Sequence, residues 1–216
     1  ISGDEVNFFR AGKKKVFVIG SNKTGTTSLG ATLKKLGYRL GNQLEAELLI
    51  DDWARRNFKR LIKYCHTADA FQDIPFSLDY TFQAMDAAFP GSRFILSVRD
   101  NADTWYQSLI RFHSTRRGHN RLPTADELKA DPYVWPGYQW YASRLVYGID
   151  EGSVWNEEIY KRFYLQHIET VQTYFKYRRN DLLVINLSEV DAMQKLCEFL
   201  EMPILKEAIP KLNASG

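Results

Sequence analysis

The run Val16-Phe17-Val18-Ile19 leads straight into Gly20-Ser-Asn-Lys-Thr-Gly-Thr-Thr27, and this junction constrains the chain more than any other stretch. An apolar run this short, closed by glycine, fits a buried parallel strand. Leu29, Leu33 and Leu36 then share one helical face, and Gly37 stops the pattern. Strand, glycine-spaced turn and helix together make a cradle for anionic oxygens, because loop N–H groups and a helix N-terminus converge there. The spacing G-x-x-x-x-G is that of a triphosphate-binding loop, yet Thr26 stands where such a loop keeps its lysine. Lys23 rises from the crown of the turn instead. From there it can meet a group attached to a single 5′-phosphate, and the usual triphosphate position has no cation.

Strands and helices alternate along the rest of the chain. A helix is expected over Leu44–Tyr64, a short strand at "DAFQDIP" stopped by Pro75, and a helix over Leu78–Phe89. The strand "RFILSVRD" follows, then a helix from about Asp103 to Arg116. Periodicity is lost from Arg117 to Val154, where Pro, Gly and aromatics gather, and returns as a helix over Trp155–Tyr177. "DLLVINL" reads as the last strand and "VDAMQKLCEFLEM" as the last helix. Such alternation predicts a mostly parallel sheet of about five strands covered by helices on both faces. At 216 residues the chain reads as one domain, 1–216, with an irregular lead-in at 1–12.

Composition excludes several classes. A net charge of +3 is too weak to argue for nucleic acid. Cys65 and Cys197 suggest no disulfide framework; they read as two buried thiols in a reducing, cytoplasmic setting. The four histidines lack metal-ligand spacing, so no metal is expected. No run approaches the ~20 apolar residues of a membrane span. The chain opens on Ile1 rather than Met, so a targeting or anchor segment can precede it.

The stretch "VFVIGSNKTGTTSL" resembles the 5′-phosphosulfate loop of sulfotransferases that use 3′-phosphoadenosine 5′-phosphosulfate (PAPS). In that family a lysine precedes a small residue, glycine and threonine, as in Lys23-Thr24-Gly25-Thr26. The resemblance implies a P-loop NTPase-like three-layer fold. It implies that Lys23 contacts the bridging oxygen and stabilises the departing phosphate, while Thr24, Gly25, Thr26, Thr27 and Ser28 hold the 5′-phosphate. Cytosolic members often carry an adenine-stacking tryptophan where this chain has Ser28. A 3′-phosphate needs a second anchor, which the family builds from a strand-end arginine and a serine on the next helix. "FILSVRDNADTWYQSL" supplies Arg99 and Ser108, and the family's usual spacing falls one residue earlier, on Gln107. Arginine suits this task because its planar fork makes paired bonds to phosphate oxygens; the bland reading pairs Arg99 with Asp100 or Asp103. "DLLVINLSEVDAMQKLCEFLEMP" and "IPKLN" look like the closing elements of small bacterial-type members. The family's C-terminal Arg-Lys-Gly motif is absent, and Arg116, Arg117, Arg178 or Arg179 are the available substitutes.

Transfer to an alcohol needs a general base. Where cytosolic relatives place a histidine at a strand end, this chain has Asp73. Glu45 competes, lying after the loop helix as the base glutamates of some relatives do; His66, His113 and water complete the set. The bland readings are helix capping for Asp73, a solvated face for Glu45, and packing or surface for His167. Residues 111–155 read as an acceptor-binding lid, with Tyr133, Trp135, Tyr138, Trp140, Tyr141 and Trp155 as an aromatic wall or, equally, a satellite core. The expected activity is therefore transfer of a sulfuryl group from PAPS, leaving PAP, to the hydroxyl of a small molecule, sugar or other acceptor, or less readily to an amine, without metal. The rivals are an ATP-dependent small-molecule kinase and a catalytically silent nucleotide-binding module.

Overall fold

The computed structural model describes residues 14–116 and 120–212; the lead-in at 1–12, Arg117 and Asn213 lie outside them. In chain order the elements are β1 (Val16–Val18), α1 (Thr26–Lys35), α2 (Gln43–Glu47), α3 (Ile50–Ala54), α4 (Lys59–Tyr64), β2 (Ala70–Gln72) and α5 (Thr81–Ala88). There follow β3 (Arg93–Val98), α6 (Ala102–Thr115), α7 (Ala125–Ala130), α8 (Tyr138–Tyr147), α9 (Glu157–Phe175), β4 (Leu182–Asn186) and α10 (Ala192–Phe199). Among the described residues the sheet has four strands, one fewer than the five expected, all parallel, in the order β2-β1-β3-β4.

Side chains alternate across a strand, so β1 feeds two cores. Phe17 and Ile19 join Phe71, Phe94, Phe82 and Phe175 on one face. Val16 and Val18 join Leu29, Leu33, Ile95 and Leu196 on the other. The first layer is closed by α2, α4, α5 and α9, the second by α1 and α10, which makes the α/β/α sandwich of a P-loop-like fold. Cys65 and Cys197 are buried free thiols in opposite layers. Lys15 donates from Nζ to the carbonyls of Cys65 (2.7 Å) and Ala68 (2.9 Å), and closes the end of α4.

Two expectations change. The single helix over Leu44–Tyr64 is three short ones. Arg56 takes φ 55°, and the bonds Asn57 N–H to Asp52 O (2.9 Å) and Arg56 N–H to Trp53 O (2.9 Å) close a left-handed helix stop there. Residues 117–154, read as irregular, carry α7 and α8. A capping box starts α7: the Thr124 hydroxyl accepts from Glu127 N–H, and Glu127 accepts from Thr124 N–H.

In the strand order 2-1-3-4 the connections leave β1 and β3 on diverging paths. Open α/β sheets bind ligands at the carboxyl ends of strands that flank such a switch point. The loop after β1 and Arg99 after β3 both lie there.

Candidate active site

The turn between β1 and α1 is held from behind. The Ile19 carbonyl meets His167 Nε2 (2.7 Å), and the Ser21 carbonyl accepts from the Thr24 hydroxyl (2.6 Å). The Asn22 carbonyl accepts from Trp105 Nε1 (2.9 Å), and the Lys23 carbonyl from Arg99 Nε (2.8 Å). In a trans peptide C=O and N–H point opposite ways, so anchoring these carbonyls turns the following amides to the other side of the loop. Gly20 is required by contact: a Cβ there would lie 2.5 Å from the Ser97 carbonyl oxygen. Gly25 is required by conformation, with φ 99°.

His167 is thus neither surface nor simple packing. It is fully buried, and its other nitrogen, Nδ1, lies 3.1 Å from Asp79. Replacing it by leucine would leave the Ile19 carbonyl without its buried donor. His167→Leu is expected to cost about 1–3 kcal/mol of stability. Urea unfolding measures this, and a loss below ~0.5 kcal/mol would show that the contact carries little.

Two cavities meet at this loop. The first, a cleft of about 580 Å³, is lined by Lys23 through Ser28, by Arg99, and by Gln107 and Ser108 from α6. The cofactor residues expected from sequence therefore face one space, and both candidates for the helix position, Gln107 and Ser108, reach it. Arg99 is held by the loop, while Asp103 pairs with Lys161 and Asp100 accepts from Asn186. Ser28 accepts from Leu212 N–H (3.1 Å), which lays the segment Ile209–Leu212 along the cleft and adds Lys211 to its lining. Arg116, one of the arginines considered for the 3′-phosphate, lines the other cavity, and Arg178 pairs with Asp86.

The second cavity, about 150 Å³, is walled by Phe112, Tyr133, Tyr138, Tyr147, Trp155 and Phe163, and includes Glu47 and Arg116. The segment 111–155 supplies much of this wall. Trp135 instead packs against both Tyr138 and Tyr141, with ring centroids 5.5 Å apart in each pair, so the wall and the satellite-core readings each hold for part of the set.

Lys23 and Asp73 are the residues that line both cavities. Asp73 directly follows β2 with φ 59°, and Lys23 has φ 66°. Such left-handed backbone in a non-glycine residue costs about 1 kcal/mol or more and gathers at functional sites. Burial raises the Asp73 carboxyl, opposed by the Lys23 charge and by hydrogen bonds from Ile74 N–H and the Thr26 side chain. Burial lowers the Lys23 ammonium to about 8, with Asp73 opposing and Arg116 reinforcing the shift. The Lys23 Nζ lies 3.0 Å from the centre of the Phe112 ring.

Glu45 is exposed and touches neither cavity; its backbone N–H and its carboxylate bond Asn42, the N-cap of α2. Two residues on, Glu47 is buried in the aromatic cavity, where Tyr133 OH (3.0 Å) and Gln43 Nε2 (3.2 Å) both donate to its Oε1. Sequence reasoning missed it. Of the remaining base candidates, His113 lines the aromatic cavity, and His66 packs edge-on to Phe89. Among the described residues no group of three or more His, Cys, Asp and Glu could hold a metal ion, and no helix is long and apolar enough to cross a membrane.

A family model described as a sulfotransferase domain matches residues 15–216, so the chain belongs to the sulfotransferase family. No curated protein matches it.

Proposed function

We propose that this sulfotransferase-family chain moves a sulfuryl group from PAPS to a hydroxyl, and less readily to an amine, of a small acceptor. The observation that carries this reading is the sharing of Lys23 and Asp73 between a phosphate-type cleft and an aromatic cavity. A two-substrate transferase needs such a seam, because donor and acceptor must meet in line while their bulk stays apart. The cleft falls within the range of about 300–1,000 Å³ usual for nucleotide-sized ligands, and its chemistry fits: loop amides and the start of α1 for a 5′-phosphate, Arg99 with Ser108 or Gln107 for a 3′-phosphate. Leu187, Ile209, Pro210 and Leu212 offer a non-aromatic surface for the base, in place of the tryptophan that Ser28 replaces.

When bound, PAPS supplies the activated sulfuryl group. Asp73 takes the acceptor proton as the acceptor oxygen forms its bond to sulfur. Lys23 meets the electron pair left on the departing phosphate oxygen as the old S–O bond breaks. The aromatic walls keep water from competing for the sulfuryl group.

Calorimetry with PAP, ATP and ATP–magnesium tests the reading. PAP is expected to bind without magnesium and to outcompete ATP, and a preference for ATP–magnesium would favour the kinase. Arg99→Ala is expected to weaken PAP about 10–100-fold, although part of that loss comes from the loop carbonyl it frees. The pH profile follows from two directions. Asp73 must be ionised, so kcat/KM rises through its raised pKa; Lys23 must be charged, so kcat/KM falls above about 8. Initial rates at saturating acceptor, with PAPS varied, measure both limbs. A flat profile across about pH 7–9.5 would remove Lys23 as the charged group.

A further inference from the structure

Six buried side-chain polar atoms lack a protein partner among the described residues, and three of them, Ser21 Oγ, Glu47 Oε2 and Tyr138 OH, belong to residues of the aromatic cavity. A buried polar atom that nothing answers destabilises the fold. Their concentration in one space points to an occupant with polar groups of its own. Resting on the reading of this cavity as the acceptor site, we propose that it is built for a compact aromatic alcohol carrying a protonated amine, with Glu47 Oε2 receiving the ammonium and the hydroxyl lying at Lys23 and Asp73.

Glu47 is set up as a receiver. Tyr133 and Gln43 fix Oε1, so the orientation of the carboxyl is decided before anything enters, and Oε2 is left over. The groups facing it are unequal. Asp73 raises its pKa and Arg116 lowers it, while burial dominates and sets it at about 7; Tyr133 is a neutral donor, and Tyr138 lies close by. The cations of the cavity are engaged at rings: Lys23 over Phe112, and Arg116 4.7 Å from the centre of Tyr133. Electron-rich ring faces and a carboxylate at one place favour an organic cation, which brings its own apolar body to the walls. A charge-assisted bond in this low-dielectric space exceeds what a neutral donor could make.

The pair 4-(2-aminoethyl)phenol and 4-ethylphenol differs in the amine alone. Titrated into the protein with PAP present, and again without it, the amine is expected to bind about tenfold tighter or more at about pH 8. The ratio should shrink as pH falls below about 7, because Glu47 then takes up a proton and loses its charge. Glu47→Gln, nearly isosteric and checked for folding by near-UV dichroism, should bring the ratio within about twofold of one. Equal affinities for the two phenols, failure of both to bind, or a ratio that survives Glu47→Gln each overturns the proposal. If that variant does not fold, the wild-type pH dependence decides alone, and a ratio constant from about pH 6 to 8.5 overturns it. Transfer of labelled sulfate from PAPS to the two phenols, measured on the same protein in samples free of PAP, separates the two readings. Transfer without discrimination defeats the ammonium site and keeps the transferase, whereas discrimination without transfer does the opposite.

Discussion

Lys23→Ala is expected to lower kcat about 10²–10³-fold, the scale of removing one preorganised charge or donor from a developing anion. The dissociation constant of PAP should change far less, within about fivefold, because the phosphate cradle proposed above is made of backbone amides, α1 and Arg99 rather than of this ammonium. The proposed role of Lys23 puts the effect on kcat. Lys23 lines both cavities, and in the proposed reaction negative charge appears beside it only as sulfur leaves phosphate. Before that moment its ammonium lies on the Phe112 ring near Asp73, and burial brings its pKa down to about 8. An ionised leaving group restores what burial removed, so the interaction is stronger in the transition state than in the ground state. Single-turnover transfer of labelled sulfate isolates the chemical step. Should kcat stay within about threefold of wild type while PAP affinity collapses, Lys23 is a binding residue and the assignment of its role is wrong.

How far the sequence could be read varies along the chain, and the variation has physical causes. The β1–loop–α1 unit was legible because each of its signals is local: a short apolar run, two glycines, a leucine stripe and a glycine stop, all within twenty-two residues of Val16. Arg99 was legible for the same reason, standing at the end of an apolar strand. Glu47 was not, because its position depends on where a helix breaks. The stop at Arg56 and the separate turns of α2 and α3 set which face is inward: Ala46, Leu49, Ile50 and Trp53 are buried, Leu44 and Leu48 exposed. On that stripe Glu47 faces in and Glu45 out. The spacing of Ala46, Ile50 and Trp53 in the sequence carried this signal, but it competes with Leu44 and Leu48 until the phase is fixed by tertiary contacts. The helices α7 and α8 escaped for a different reason. The helix α7 is short and buries a single residue, Leu128, and in α8 the crowded aromatics mask helical periodicity, although Thr124 and Glu127 spell a capping box for α7. The loop's support by His167 and Trp105 comes from elements 148 and 83 residues away, which no local pattern can report.

Asp73→Asn is the companion test, with an expected loss of about 10²–10⁴-fold in kcat, the span of general base catalysis. Asparagine keeps the shape and can still accept from Ile74 N–H and Thr26, so the turn after β2 should persist. It cannot take a proton. Removing the carboxylate also takes an opposing charge from Lys23, so the Lys23 pKa should fall below about 8 and the alkaline limb move to lower pH. The acid limb should flatten, since the group whose raised pKa produces it is gone. These two movements separate a base from a residue that only shapes the loop, for which both limbs would stay in place while rate and affinity fall together. Glu45→Gln, at an exposed position that accepts from the Asn42 cap of α2, should leave the profile where it was. Should the acid limb instead move with Glu47→Gln and survive in Asp73→Asn, proton removal belongs to the buried glutamate across the cavity. Asp73 would then act by holding Lys23, and the ammonium site proposed for Glu47 would have to give way.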